Sequence, residues 1–133
     1  MPKKILLIDD EELITRTLAN SLERAGYDVL VAKSGNDAIV MAEEEDFDLV
    51  VSDIRMPGLN GVETVRRILD VIQKKGGGKT PTIFVTGYAD QAVEKQARAL
   101  RPDAYPNFAS FKSEFVVNIE VTTTRPPKLA LHF

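Results

Sequence analysis

Apolar positions in the first hundred residues alternate between two spacings. Ile5-Leu6-Leu7-Ile8 is an unbroken aliphatic run, the pattern of a strand buried on both faces of a parallel sheet. It stops at Asp9-Asp10-Glu11-Glu12, after which Ile14, Leu18 and Leu22 recur at spacing four, with Leu13 and Ala25 beside them. That spacing predicts an amphipathic helix, and Gly26 stands where a terminating glycine belongs. Asp28 to Ala32 reads as a second strand, and Asn36 to about Glu45 as a helix with Ala38, Ile39, Met41 and Ala42 on its apolar side. Leu49-Val50-Val51 is a third buried strand running into Ser52-Asp53. The loop Arg55-Met56-Pro57-Gly58-Leu59-Asn60-Gly61 has the Pro and Gly punctuation of a tight connection. Val62, Val65, Ile68, Leu69 and Ile72 mark a third helix, closed by Lys74-Lys75 and Gly76-Gly77-Gly78. Thr82 to Val85 is a fourth strand with Thr86-Gly87-Tyr88 as its exit loop, and Asp90 opens a fourth helix reaching about Leu100.

Strand and helix alternating in this way predict a parallel α/β sheet with right-handed crossovers and helices on both faces. The functional crevice of such a sheet lies outside the carboxyl ends of its strands. Asp9 and Asp10 end the first strand, Asp53 the third and Thr86 the fourth, so polar groups from distant points converge on one edge. Carboxylates brought together repel and lose hydration, which is costly without a counter-charge. Mg²⁺ suits such a set, because it takes oxygen ligands and is typically held by one or two carboxylates together with phosphate oxygens. It also offsets the charge of an incoming phosphoryl group, and an Asp carboxylate is a competent nucleophile for an aspartyl-phosphate.

Composition narrows the alternatives. The chain has 133 residues, 44% hydrophobic and 28% charged, which suits one globular domain. A net charge of −3 argues against a basic nucleic-acid-binding face. With no Cys and a single His (His132), disulfide frameworks, thiolate metal sites and histidine-based catalysis lack material. No segment reads as a signal peptide or membrane span, so a cytoplasmic location is expected.

Ile8-Asp9-Asp10-Glu11, Ser52-Asp53-Ile54-Arg55-Met56-Pro57-Gly58 with Asn60-Gly61, and Val85-Thr86-Gly87 together resemble the receiver domains of two-component response regulators. The resemblance implies a flavodoxin-like doubly wound sheet of order 2-1-3-4-5, with strands 1 to 5 and helices 1 to 4 inside residues 1–105. It implies that Asp53 accepts a phosphoryl group, with Mg²⁺, from a sensor histidine kinase or a histidine phosphotransfer protein. Asp10 and Asp53 would ligate the metal directly, Asp9 through water, and Arg55 by its backbone carbonyl. Thr86 would contact the phosphate as a switch, and Tyr105 would be the aromatic that repacks. The product is a signalling state rather than enzymatic turnover, passed to a downstream protein target, with no further output domain expected.

Each element also has a plain structural reading. Asp9 to Glu12 can be a helix cap and first-turn acids, Asp53 can cap a turn, and the run Glu43-Glu44-Glu45-Asp46 reads as a solvated helix end. A Mg²⁺-dependent phosphatase with an Asp nucleophile also uses clustered acids. Such enzymes usually place a second Asp two residues on, where this chain has Arg55 after Asp53 and Glu11 after Asp9.

The resemblance ends after Ala104-Tyr105. The family's Lys, Pro and apolar residue are expected at positions held by Phe108, Ala109 and Ser110. Losing a lysine beside a phosphate should cost on the order of 1–3 kcal/mol, and Lys112 is a weak substitute. Residues 106–133 form a divergent tail in place of the last helix. Phe115, Val117, Ile119 and Val121 alternate there with Val116, Asn118, Glu120 and Thr122, predicting a strand within 111–124 before Arg125-Pro126-Pro127 stops it. Such a strand would leave a sheet edge or apolar face uncovered, so a homodimer through the tail, by association or strand exchange, is expected. Two origins stay open for the tail: a diverged regulatory segment, or a shifted reading frame after an ordinary receiver. The competing function is a degenerate receiver that works as a phosphorylation-independent dimerisation or interaction module.

Overall fold

The computed structural model describes residues 3–53, 58–78, 80–85, 95 and 99–100. Four strands and three helices alternate in it: β1 (Lys4–Ile8), α1 (Glu12–Arg24), β2 (Asp28–Ala32), α2 (Gly35–Glu44), β3 (Leu49–Asp53), α3 (Gly61–Lys74) and β4 (Thr82–Val85). The strands form one parallel sheet in the order β2-β1-β3-β4. The predicted fifth strand, the helix opened by Asp90 and the tail strand at 111–124 lie outside the described residues.

Strand alternation explains why Ile5–Ile8 of β1 and Leu49–Val51 of β3 are aliphatic without a break. Successive side chains point to opposite faces, and both faces are covered. Ile5 and Leu7 of β1 with Leu49 and Val51 of β3 pack beneath α1, against Leu18, Ala19 and Leu22. Leu6, Ile8 and Val50, with Phe84 of β4, pack on the other side against α2 and α3, where Ala38, Ala42, Val62, Val65 and Ile68 close the layer. All of the β1 residues from Ile5 to Ile8 are essentially inaccessible. At roughly 25 cal/mol per Å² of apolar surface removed from water, each such aliphatic side chain contributes on the order of 2 kcal/mol.

Local signals set the helix ends. Ser34 caps α2 by accepting from the Asp37 N–H, and Asn60 caps α3 by accepting from the Glu63 N–H at 2.9 Å. Gly26 and Gly76 follow α1 and α3 with φ of 98° and 80°, the left-handed geometry glycine adopts without a Cβ penalty. α2 and α3 approach closely at their N-terminal ends because Gly35 has no side chain. A Cβ there would sit 2.2 Å from Thr64 Oγ1.

Helix α1 departs from the expected pattern. Leu13 is 76% exposed and Ala25 is also outside the core, whereas Thr15 is buried and its hydroxyl donates to the Glu12 carbonyl. The α1 stripe is therefore narrower than its count of apolar residues suggests. The acidic run Glu43 to Asp46 at the end of α2 is exposed throughout, as a solvated helix end requires, and two of its carboxylates pair with lysines. Glu45 pairs with Lys4 at 3.1 Å, and Asp46 pairs with Lys75 at 3.1 Å. The same Lys75 ammonium donates to the Ala42 carbonyl at 2.9 Å, satisfying an orphan acceptor at the end of α2. No helix among the described residues is long and apolar enough to cross a membrane.

Candidate functional site

The carboxyl edge of the sheet carries the acidic cluster. Pairing of β1 with β3 sets Ile8 beside Ser52, so the next residues along, Asp9 and Asp53, leave the sheet side by side. Both continue the alternation that faces α1, Asp9 after Ile5 and Leu7, Asp53 after Leu49 and Val51. One carboxylate oxygen from each of Asp9, Asp10 and Asp53 lies within 4.8 Å of the other two. Asp9 is buried, Asp53 half-buried and Asp10 exposed.

Asp9 is held at both ends. Its backbone N–H donates to the Ala32 carbonyl at 3.1 Å, which ties the exit of β1 to the end of β2. Its Oδ1 accepts from the Glu11 N–H at 2.9 Å, just before α1 begins. The residue flanking that helix as its N-cap is Glu11, which makes no side-chain cap bond. Simple capping therefore does not account for Asp10 and Asp53 meeting Asp9.

Burial pushes the Asp9 carboxyl up to about 7 from an ordinary 3.8, opposed by the Glu11 amide and reinforced by the negative charges of Asp53, Asp10 and Glu11. Burial and neighbouring negative charge both disfavour the ionised form of this carboxyl. Three oxygen donors at this spacing fit a hard divalent ion, which would relieve both the repulsion and the desolvation. The chemistry of the donor set thus agrees with a receiver-type metal site.

Of the residues singled out from sequence, Asp9, Asp10 and Asp53 come together. Thr86, Arg55, Tyr105, Phe108 and Lys112 lie outside the described residues. Sequence reasoning passed over Ser52, the residue before Asp53. Its side chain is fully buried, and its hydroxyl donates to the Asp53 carbonyl at 2.8 Å. The signal available was a lone hydroxyl inside an aliphatic strand. A groove of about 370 Å³ lies where α3 ends, at the other edge of the sheet, and its lining among the described residues is Leu69, Ile72, Gln73, Gly77, Gly78 and Thr80.

Comparison with known proteins gives the same picture. The chain is 37% identical over 102 residues to the transcriptional regulatory protein ResD of Bacillus subtilis, an alignment that covers 77% of this chain and 40% of that protein. It spans between 28% and 40% of the length of the first three curated relatives it matches. Among solved structures, a CheY-like response regulator receiver domain protein from Methanospirillum hungatei superposes with a TM-score of 0.81 at 26% identity, covering 92% of this chain and 94% of that one. A response regulator protein from Burkholderia pseudomallei, solved with a phosphorylated aspartic acid, a calcium ion and citrate, has a TM-score of 0.73 at 28% identity. It covers 92% of this chain and 69% of that one. The model of the response regulator receiver domain matches residues 5–105, across the four strands and the acidic cluster, and the chain belongs to that family, whose members are signalling modules rather than classical enzymes.

Proposed function

We propose that Asp53 is the phosphoacceptor of this receiver domain, phosphorylated from a histidine kinase or a histidine phosphotransfer protein. The observation that carries this reading is the convergence of the Asp9, Asp10 and Asp53 carboxylates within 4.8 Å at the carboxyl edge of the sheet. Asp53 is the member that ends the central strand β3, and it is half-buried, so an oxygen is both positioned and reachable. In the transfer its Oδ forms a bond to phosphorus while the bond from phosphorus to the donor breaks. The electron pair leaves with the donor group. Asp9 and Asp10, with Asp53 and the Arg55 carbonyl, would hold Mg²⁺, whose chemistry here is to neutralise charge on the carboxylates and the phosphoryl oxygens.

Thr86 would then bond a phosphate oxygen and Tyr105 would repack, converting one covalent event into a changed surface for a downstream protein. Phe108 at the family's lysine position removes one charge-assisted contact to the phosphate, which favours a slower or shorter-lived product. Residues 1–105 carry this activity in our reading, and 106–133 supply an association surface between copies.

Incubation with acetyl phosphate and Mg²⁺ followed by intact-mass measurement tests the proposal. One added phosphoryl group, labile to hydroxylamine as an acyl phosphate should be, is expected for the wild type. Asp53→Asn should lose that labile label. A wild type with no gain, or an Asp53→Asn variant with an equal hydroxylamine-labile gain, rejects the assignment.

A further inference from the structure

Ser52 stands where the fold has every reason to place an aliphatic residue. It follows Leu49, Val50 and Val51 in β3 and is fully buried. Its backbone is paired with Ile8 of β1 on one side and Phe84 of β4 on the other. A hydroxyl at such a position is costly unless it is bonded, and Ala or Val would satisfy packing alone. The bond it makes is local. Oγ donates to the carbonyl oxygen of Asp53, the very next residue, at 2.8 Å. That bond contributes nothing to pairing between strands. What it does is fix the peptide that follows Asp53 to a residue clamped by strands on both sides.

We infer that Ser52 is a positioning residue for phosphoryl transfer to Asp53. Its hydroxyl holds the Asp53 main chain at the end of β3, and so limits the swing of the carboxylate that attacks phosphorus. The inference rests on the phosphoacceptor reading above. No proton passes through Ser52 in the step. The Asp53 oxygen bonds to phosphorus, the bond to the leaving acetate breaks when acetyl phosphate is the donor, and acetate departs with the electron pair. In-line displacement depends steeply on placement, with an error of about 1 Å costing on the order of a hundredfold. A loosened main chain at Asp53 should therefore cost about 3–10-fold in rate.

The test compares the full chain with Ser52→Ala and Ser52→Thr. Phosphorylation rates are read by intact mass at saturating Mg²⁺ and acetyl phosphate, and Mg²⁺ affinity is read separately by thermal shift without a donor. Support is a Ser52→Ala rate reduced about 3–10-fold, Mg²⁺ half-saturation within about twofold of wild type, and Ser52→Thr restored to within about twofold. If the extra methyl of Thr abolishes a cooperative unfolding transition, Ser52→Cys replaces it. Its weak S–H donor should give a rate between those of Ala and wild type. A wild-type rate in Ser52→Ala, no recovery in the hydroxyl- or thiol-bearing variant, or a slowdown matched by equal loss of Mg²⁺ affinity overturns the inference. A wild type that takes no phosphoryl group fails the phosphoacceptor reading first and this inference with it. A wild type that reacts normally beside an unaffected Ser52→Ala fails this inference alone.

Discussion

Replacing Asp9 with Asn should stabilise the metal-free protein above neutral pH. Asp9 is 3% exposed, and its carboxyl is pushed up to about 7 from 3.8, first of all by burial. In the unfolded chain the group titrates near its ordinary value. Between roughly pH 4 and 7 the folded state therefore holds a proton that the unfolded state has released. This contribution to stability is fully present below about pH 4 and is lost as pH rises through about 7. A span of about 3 pH units at 1.36 kcal/mol each sets an upper limit of about 4 kcal/mol. Asn keeps an oxygen that can accept from the Glu11 N–H but carries no charge to desolvate. A realised gain of roughly 1–3 kcal/mol at about pH 8.5, shrinking toward zero near pH 4.5, is expected. Urea unfolding of both proteins in EDTA across that range measures it, and the difference between them cancels the titration of other carboxylates. Added Mg²⁺ should flatten the wild-type pH profile, because a cation favours the ionised form. If Asp9→Asn is no more stable than wild type at about pH 8.5, or if its advantage is the same near pH 4.5, burial of an ionised Asp9 is not the source of the strain.

Two further outcomes probe the scaffold behind the site. Gly35→Ala places a Cβ 2.2 Å from Thr64 Oγ1 and 3.1 Å from Leu59 Cβ. It should destabilise by about 1–3 kcal/mol in urea unfolding, with at least half recovered in the double variant Gly35→Ala/Thr64→Ala. Equal losses in the single and double variants would show that the approach of α2 to α3 is not limited by that hydroxyl. Lys75→Met removes the ammonium that bonds the Ala42 carbonyl and pairs with Asp46. A loss of about 1 kcal/mol that persists at high salt is expected, because the carbonyl bond and not the exposed pair carries it.

The order and type of the elements were legible from residues 4 to 85 because each carries its own period. Four consecutive aliphatic residues at Ile5 to Ile8, cut off by Asp9-Asp10, suit a strand covered on both faces, and the i, i+4 spacing after Asp10 suits a helix packed on one. The family resemblance implied the sheet order 2-1-3-4-5, and the pairings bear out its 2-1-3-4 part. Asp9, Asp10 and Asp53 were legible as a set because parallel strands must deliver their C-terminal residues to one edge. What sequence did not determine was which member of a local group faces inward. Leu13 carries an apolar side chain and is exposed, while Thr15 is buried with its hydroxyl returned to the backbone. Asp9 and Asp10 are chemically identical neighbours, yet only Asp9 is buried and bonded by the Glu11 amide. Composition cannot separate such cases, because burial and charge state depend on register between strands and on the seating of α1. Those relationships exist only once distant segments are packed together. The same holds for Ser52, whose hydroxyl gains meaning from the two strands that clamp it.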